Sequence, residues 1–186
     1  MAGDLAGRQI AILVTDGFEQ IEMTAPKQAL EAAGATVDII SEQAGQVQGL
    51  NHDVKADRFD VDHVFDTVDA LDYDGVLLPG GVVNSDAIRT VKKAQSFVKA
   101  IEAEGKPVAV ICHGSWLLIS SGLVEGKTMT SWPSLHDDLR NAGAKWVDKE
   151  VVRDGNWVSS RKPDDLPAFN REIVRLFAEA PQRATA

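Results

Sequence analysis

Short apolar stretches alternate along the chain with longer segments in which apolar residues recur at helical spacing. The apolar stretches lie at 9–14, 36–40, 75–78 and 107–111, and each contains few polar residues. Nearly continuous apolar runs of this length are typical of strands buried on both faces. Segment 86–104 instead has its apolar residues on one helical face, which predicts a single amphipathic helix. Strands that alternate with helices predict a three-layer α/β/α sandwich around a mostly parallel sheet.

The remaining segments complete this pattern. Further helices are predicted at 21–33, 113–122, 134–142 and 164–178. A β-hairpin is predicted at 150–160, because Asp154-Gly155 separates two runs of strand-forming residues. A chain of 186 residues can bury a sizeable core in one unit, so residues 1–186 are interpreted as a single domain.

Composition and charge exclude several classes of protein. The chain has 19 Lys and Arg against 28 Asp and Glu, and its net charge of -9 opposes binding to nucleic acid or to an anionic membrane. Its apolar runs are too short to cross a bilayer. The first eight residues lack the features of a secretion signal, and one cysteine cannot form an internal disulfide. We therefore expect a cytoplasmic protein.

Cys112 occupies the junction between the strand-like run 107–111 and the helix-like run that follows it. A residue at such a junction lies on the crevice where parallel α/β sheets bind ligands. The amino terminus of the following helix is expected to lower the pKa of the thiol, which would make Cys112 a nucleophile. The alternative is a buried, inert cysteine, since free cysteine is among the most buried residue types.

Two other predicted strand ends carry residues that suit catalysis beside Cys112. Glu19 follows the first strand and could exchange a proton with the thiol, whereas Gly80 and Gly81 follow the third strand. Backbone amides at Gly81 and His113 could bind an oxyanion. Each residue also has a structural interpretation: Glu19 as a solvated loop residue, the glycines as a turn, and His113 as a ring that cannot reach the sulfur.

No metal or cofactor is expected. The other three histidines lack the paired spacing of zinc ligands, and no glycine-rich phosphate-binding motif is present. Acidic clusters at 57–62 and 69–74 do not fit a calcium loop and are interpreted as solvated loops.

Four motifs together resemble those of the ThiJ/PfpI superfamily. They are Asp-Gly-Phe-Glu at 16–19, Leu-Pro-Gly-Gly at 78–81, Ala-Val-Ile-Cys-His-Gly at 109–114 and Val-Val-Arg-Asp-Gly-Asn-Trp-Val-Ser-Ser-Arg at 151–161. Within the superfamily the chain most resembles PfpI-type intracellular proteases and bacterial general stress proteins. The resemblance extends over a core of about 9–177.

The resemblance implies a flavodoxin-like sandwich with Cys112 at a nucleophile elbow. It implies that Glu19 is hydrogen-bonded to the sulfur and that His113 is the neighbouring base. It also implies a homodimer or higher homo-oligomer, in which Asp86 corresponds to an acidic residue that reaches the histidine of an adjacent subunit. Trp132 replaces a tyrosine found in many relatives, which makes the pocket more apolar.

Three functions are consistent with these residues. The first is a stress-response hydrolase in which Cys112 attacks reactive-carbonyl adducts, either small molecules or glycated protein side chains, in the manner of a deglycase or glyoxalase. The second is a PfpI-type cysteine peptidase that uses Cys112, His113 and Asp86 across a subunit boundary. The third is a redox-responsive stress protein in which Cys112 is oxidised.

Overall fold

The computed structural model describes residues 5–181 and arranges them as an α/β fold. The strands are β1 (Gln9–Leu13), β2 (Phe18–Glu19), β3 (Thr36–Ser41), β4 (Gln46–Asn51), β5 (Val54–Asp60), β6 (His63–Val64), β7 (Gly75–Leu78), β8 (Val108–Ile111), β9 (Thr128–Met129), β10 (Lys145–Trp146), β11 (Val151–Asp154) and β12 (Trp157–Ser160). The helices are α1 (Gln20–Ala32), α2 (Val82–Ile88), α3 (Lys92–Ala103), α4 (Ser115–Ser120), α5 (His136–Asn141) and α6 (Leu166–Glu179).

The central sheet has seven strands in the order β11-β12-β8-β7-β1-β3-β6. Every neighbouring pair is parallel except β11 and β12, which form the predicted antiparallel hairpin. In β1, Ile12 is in register with Ile39 on one side and Leu77 on the other. The mostly parallel sheet predicted from the sequence is confirmed.

Each face of this sheet is covered by helices, because successive side chains of a strand point to opposite faces. Ile10 and Ile12 belong to a core shared with α1 and α6, whereas Ala11 and Leu13 belong to a second core shared with α3, α4 and α5. All four of these side chains are at most 1% exposed. The two cores confirm the three-layer sandwich.

The single helix predicted over 86–104 is wrong, because the segment forms two helices. The chain turns between α2 and α3, where Val91 has an extended backbone. Side chains satisfy the carbonyl groups freed by the break: Thr90 Oγ1 donates to the Ala87 carbonyl, and Gln95 Nε2 donates to the Arg89 carbonyl. These polar residues give the backbone a local alternative to helical hydrogen bonds.

Residues 57–60 of the acidic segment 57–62 form part of a strand rather than the predicted loop. They belong to β5, at the edge of a smaller sheet in the order β2-β4-β5. Most residues of β5 are exposed. Charged residues suit an edge strand, since they discourage pairing with another chain.

The carboxyl ends of β1, β7 and β8 lie side by side in the central sheet. The connection after β1 runs to β3 on one side, whereas the connection after β7 runs to β8 on the other, and a crevice forms at such a switch point. The loops that follow these three strands therefore meet at one edge of the sheet. Within residues 5–181, the helices are too short or too polar for any of them to cross a membrane.

Candidate active site

Cys112 lies on a sharp turn between β8 and α4. The turn is a single 3-10 helix, Cys112–Gly114, and Cys112 adopts a φ of 60° although it is not glycine. Such left-handed backbone is uncommon for residues with a side chain, and strain of this kind is concentrated at functional sites. The cysteine is 6% exposed. Its predicted placement between a buried strand and a helix agrees with this geometry.

Glu22, in the first turn of α1, is the carboxyl group that accompanies the Cys112 thiol. It is fully buried, and its Oε2 atom accepts a hydrogen bond of 2.9 Å from the Gly80 amide. Burial raises the pKa of Glu22 to about 8, although interactions with the Cys112 thiol and the Gly80 amide partly oppose the rise. Glu22 is therefore protonated at neutral pH. A protonated carboxyl can donate its hydrogen to a thiolate.

The prediction that Glu19 is hydrogen-bonded to the sulfur is wrong. Glu19 Oε2 accepts a hydrogen bond of 3.0 Å from the His52 amide. The physical reason is that Glu19 ends β2 and pairs with Leu50 of β4, which holds its backbone beside the loop that follows β4. Glu22, one turn into the helix, points into the core and reaches the site of the cysteine.

The sequence contains a signal that distinguishes these two carboxyl groups. The buried residues of α1 are Glu22, Met23, Pro26 and Leu30, so Glu22 occupies the buried stripe of its helix. A carboxylate on an apolar helical face is rarely buried without a partner. The position of Glu19 near a loop glycine suggests Glu19, whereas the helical periodicity of α1 identifies Glu22.

His113 reaches the sulfur, contrary to the alternative in which its ring points away. Its Nδ1 atom lies 3.2 Å from Cys112 Sγ, and its ring stacks on Trp132 with centroids 5.8 Å apart. Trp116 contacts the same imidazole edge-on at 5.2 Å. Burial lowers the pKa of His113. Within residues 5–181 no carboxylate forms an ion pair with this histidine.

The amides of Gly81 and His113 face the Cys112 sulfur, and both lower the pKa of the thiol. Burial and the nearby Glu22 carboxylate have the larger effect, so the pKa of Cys112 is raised, and the lowering predicted from the helix terminus is wrong. Protonation of Glu22 removes the repulsive charge. Cys112 and Glu22 together can then carry a single negative charge, which lies on the sulfur while Glu22 keeps its proton.

Gly80 and Gly81 permit this close approach. A Cβ atom at Gly80 would lie 2.7 Å from Cys112 Cβ, and one at Gly81 would lie 2.5 Å from the Gly17 carbonyl oxygen. Gly81 also has a φ of 83°, a conformation that favours glycine. Both positions therefore require glycine, because they contact the cysteine turn and the loop after β1.

A cavity of about 310 Å³ opens onto Cys112. It is lined by Gly17, Glu19, Glu22, Leu50, His52, Asp53, Gly81, Val82, Val83, Cys112, His113, Trp132 and Pro163. Trp132 forms part of the apolar wall, as predicted from its replacement of a tyrosine. Gly80, expected in the pocket, is not among the lining residues but lies against Glu22, and Asp86 is exposed on α2 and is also outside the lining.

Asn84 connects two of the loops that build the site, and sequence reasoning did not identify it. Its side chain is 1% exposed. Its Oδ1 atom accepts from the Thr15 amide at 2.7 Å, and its Nδ2 atom donates to the Gly80 carbonyl at 3.0 Å. Asn84 therefore fixes the Gly80-Gly81 turn to the end of β1.

Replacing Asn84 with alanine is expected to destabilise the protein by about 2 kcal/mol, because two buried backbone groups lose their partners. It is also expected to slow alkylation of Cys112, since the Gly81 amide is no longer held against the sulfur. Urea unfolding and the rate of reaction with iodoacetamide measure the two effects. Thr15→Val, which keeps the Thr15 amide, is the matched control. Wild-type stability and reactivity in Asn84→Ala would refute this role.

Comparison with known proteins identifies the family and agrees with the fold. Residues 8–176 match the model of the DJ-1/PfpI family. Deglycase TK1284 of Thermococcus kodakarensis is 44% identical over 169 residues, which cover 91% of this chain and 99% of that protein. Putative cysteine protease YraA of Bacillus subtilis is 44% identical over 170 residues, covering 91% of this chain and 98% of that protein.

A solved structure is similar as well. The crystal structure of Drosophila melanogaster DJ-1beta superimposes with a TM-score of 0.83 at 30% identity, covering 92% of this chain and 90% of that chain. The family match, the identity to the relatives and the shared fold all confirm the resemblance seen in the sequence motifs. The chain belongs to the DJ-1/PfpI family.

Proposed function

We propose that the protein is a cysteine-dependent deglycase that removes methylglyoxal-type groups from amines, guanidines and thiols. The observation that carries this proposal is the buried, protonated Glu22 beside Cys112 at the base of a largely apolar cavity. A group whose pKa is near neutral can both give and take a proton during a reaction. The similarity to Deglycase TK1284 supports the same activity.

The chemistry needs a nucleophile and one proton carrier. A methylglyoxal adduct of an amine carries a carbinol carbon next to a ketone. Cys112 takes the place of the amine on the carbinol carbon, and the amine leaves with a proton. The carbinol C–H proton then moves to the neighbouring carbonyl carbon and the carbinol O–H proton moves to the carbonyl oxygen, which converts the sulfur adduct into a lactoyl thioester. Water hydrolyses the thioester, so one adduct and one water yield the free amine and lactic acid.

The residues of the site have separate roles in these steps. Glu22 first gives its proton to the leaving amine, and its carboxylate then carries the proton between the two carbon atoms, since this group lies at the sulfur and is shielded from water. The amides of Gly81 and His113 stabilise negative charge on the sulfur and on the oxygen that develops beside it. His113 accepts the thiol proton through Nδ1 when the thiolate forms.

The proposal is tested with N-acetylarginine that has been treated with methylglyoxal and freed of excess reagent. Release of N-acetylarginine and formation of lactate are measured together with purified protein and with buffer alone, which corrects for spontaneous reversal. The two products are expected in equal amounts and in proportion to the protein. Release of N-acetylarginine without lactate would refute the proposed chemistry.

A cysteine peptidase is a second candidate, favoured by the 3.2 Å contact between Cys112 and His113 and by the similarity to Putative cysteine protease YraA. A peptidase of this kind needs an acid to orient His113. Asp86 is exposed on α2 and could supply it only from another subunit. A homo-oligomer and a cytoplasmic location are part of this proposal and of the deglycase proposal alike.

Asp86→Ala separates the two candidates. A deglycase based on Cys112 and Glu22 is expected to keep its adduct turnover within about twofold, because Asp86 lies outside the cavity. A peptidase that depends on Asp86 would lose casein cleavage by about 10²-fold or more. Glu104→Ala, another exposed acidic residue, is the control. Casein cleavage at the wild-type rate in Asp86→Ala would eliminate the triad across subunits.

A further inference from the structure

The cavity at Cys112 is acidic as well as apolar. Among the described residues that line it, Glu19, Glu22 and Asp53 carry carboxyl groups, and none is lysine or arginine. Glu22 is neutral, which leaves Glu19 and Asp53 as the charges of the cavity. The His52 side chain, whose Nδ1 atom lies 4.0 Å from Glu19 Oε2, is 87% exposed.

The position of Glu19 makes its charge effective, whereas Asp53 lines the cavity from an exposed position. The Glu19 side chain is only 13% exposed, and apolar side chains of Leu50, Val82 and Trp132 line the same cavity. A charge beside apolar walls is screened less than one in open water. Any substrate that brings its carbonyl adduct to Cys112 therefore enters the field of Glu19 and Asp53.

An independent feature marks the cavity as a ligand site. Glu22 Oε1 is buried without a hydrogen-bond partner among residues 5–181, and Glu22 is one of the lining residues. Buried polar atoms in native proteins are normally paired, so an unpaired carboxyl oxygen at the base of a cavity indicates a group that a ligand completes. The carbinol oxygen of an adduct has the chemistry to do so.

We propose that Glu19 and Asp53 make the cavity select cationic carbonyl adducts over anionic ones. Its substrate class is then adducts whose carrier bears a positive charge beside the modified group, such as glycated arginine or lysine side chains in basic surroundings. Adducts carried by free carboxylates are poor substrates. The selection among substrates rests on the proposed deglycase function, whereas the charge selection itself is a property of the cavity.

Three hemithioacetals of equal chemistry and different charge provide the first test. They are formed from methylglyoxal with 2-(dimethylamino)ethanethiol, 2-mercaptoethanol and 3-mercaptopropionate, which are cationic, neutral and anionic at pH 7. Lactate formation gives kcat/KM for each. At an ionic strength of about 0.01 M we expect the cation to exceed the anion by about tenfold, and the ratio to fall toward one at about 1 M salt.

Two isosteric variants assign the effect to its residues. Glu19→Gln keeps an acceptor for the His52 amide and loses the charge, and Asp53→Asn likewise loses only charge. The double variant is expected to reduce the ratio of cation to anion to below about twofold. Glu104→Gln, on the exposed end of α3, is the control for net charge and should keep the wild-type ratio. A ratio near one in the wild type, or an unchanged ratio in the double variant, would overturn the proposal.

The sole cysteine allows the same question to be asked without turnover. Thiolate attack on a methanethiosulfonate forms a mixed disulfide and releases methanesulfinate. We compare a trimethylammonium-ethyl reagent with a sulfonatoethyl reagent, by intact mass, and divide each rate by that with free 2-mercaptoethanol. A preference for the cationic reagent that is abolished in the double variant supports the proposal. This holds even if no hemithioacetal is turned over, because that result would contradict only the deglycase function. Equal normalised rates would contradict the charge selection.

Discussion

Serine in place of Cys112 is expected to lower adduct turnover by about 10⁴-fold or more, to the level of the buffer control. The reason is chemical, because a serine hydroxyl is far less acidic than a thiol. Glu22 is already protonated at neutral pH and cannot act as a base toward serine. His113, whose pKa is lowered by burial, is a weak base for the same task. Lactate formation from methylglyoxal-treated N-acetylarginine measures the loss.

The serine variant should remain folded. Serine is smaller than cysteine and polar, and position 112 is 6% exposed with the backbone already in a left-handed conformation. Thermal unfolding and circular dichroism show whether the serine variant is folded like the wild type. Turnover by folded Cys112→Ser above a tenth of the wild-type rate would rule out Cys112 as the nucleophile.

Glutamine in place of Glu22 is expected to lower turnover by about 10²–10⁴-fold, because a carboxamide cannot carry the proton between the two carbon atoms of the substrate. Its carbonyl oxygen can still accept from the Gly80 amide, so the turn is kept. Glu19→Gln is the matched control, and it should alter turnover of a neutral adduct by only a few-fold. Equal losses in the two variants would contradict the assignment of the proton to Glu22.

The same substitution is expected to stabilise the protein at pH 7. The pKa of Glu22 is raised from 4.5 to about 8, so the native state holds a proton that the unfolded state releases between those pH values. Stability therefore falls as pH rises through this window. Glu22→Gln removes that penalty, a gain on the order of 3 kcal/mol at pH 7. A lower melting temperature for Glu22→Gln at pH 7 would show that Glu22 is ionised in the native protein.

Residue patterns alone were sufficient for the sheet and for the position of the cysteine. Continuous apolar runs exist because the strands of the central sheet are buried on both faces, and Ile10 and Ala11 illustrate the two faces. A cysteine at the end of such a run, followed within two residues by glycine, fits a strand-to-helix turn and little else. The architecture followed from these features, and the family followed from the four motifs that resemble the ThiJ/PfpI superfamily.

The partner of the cysteine could not be predicted by the same reasoning. Glu19 and Glu22 are three residues apart, and the choice between them depends on where the helix begins. Helix α1 starts at Gln20, directly after a two-residue strand that pairs with β4. That pairing is non-local, and it turns Glu19 away from the sulfur.

The direction in which the pKa of the Cys112 thiol shifts also depends on tertiary structure. The sequence indicated a helix amino terminus, which favours a thiolate, but it did not reveal how far Cys112 is buried or that Glu22 lies beside it. Asn84 escaped notice for a related reason, since its partners Thr15 and Gly80 come from two separate loops. Non-local burial and loop contacts set the chemistry of the site, and neither leaves a periodic pattern in the sequence.

The measurement that tests the central claim most directly is rapid acid quench of Glu22→Gln mixed with methylglyoxal, followed by intact mass and peptide mapping. A variant that adds the carbonyl but cannot move the proton should accumulate the sulfur adduct. The account predicts one methylglyoxal-derived group per chain, located on Cys112 and absent from the double variant with Cys112→Ser. Modification confined to lysine and arginine side chains, with Cys112 left as a free thiol, would contradict it.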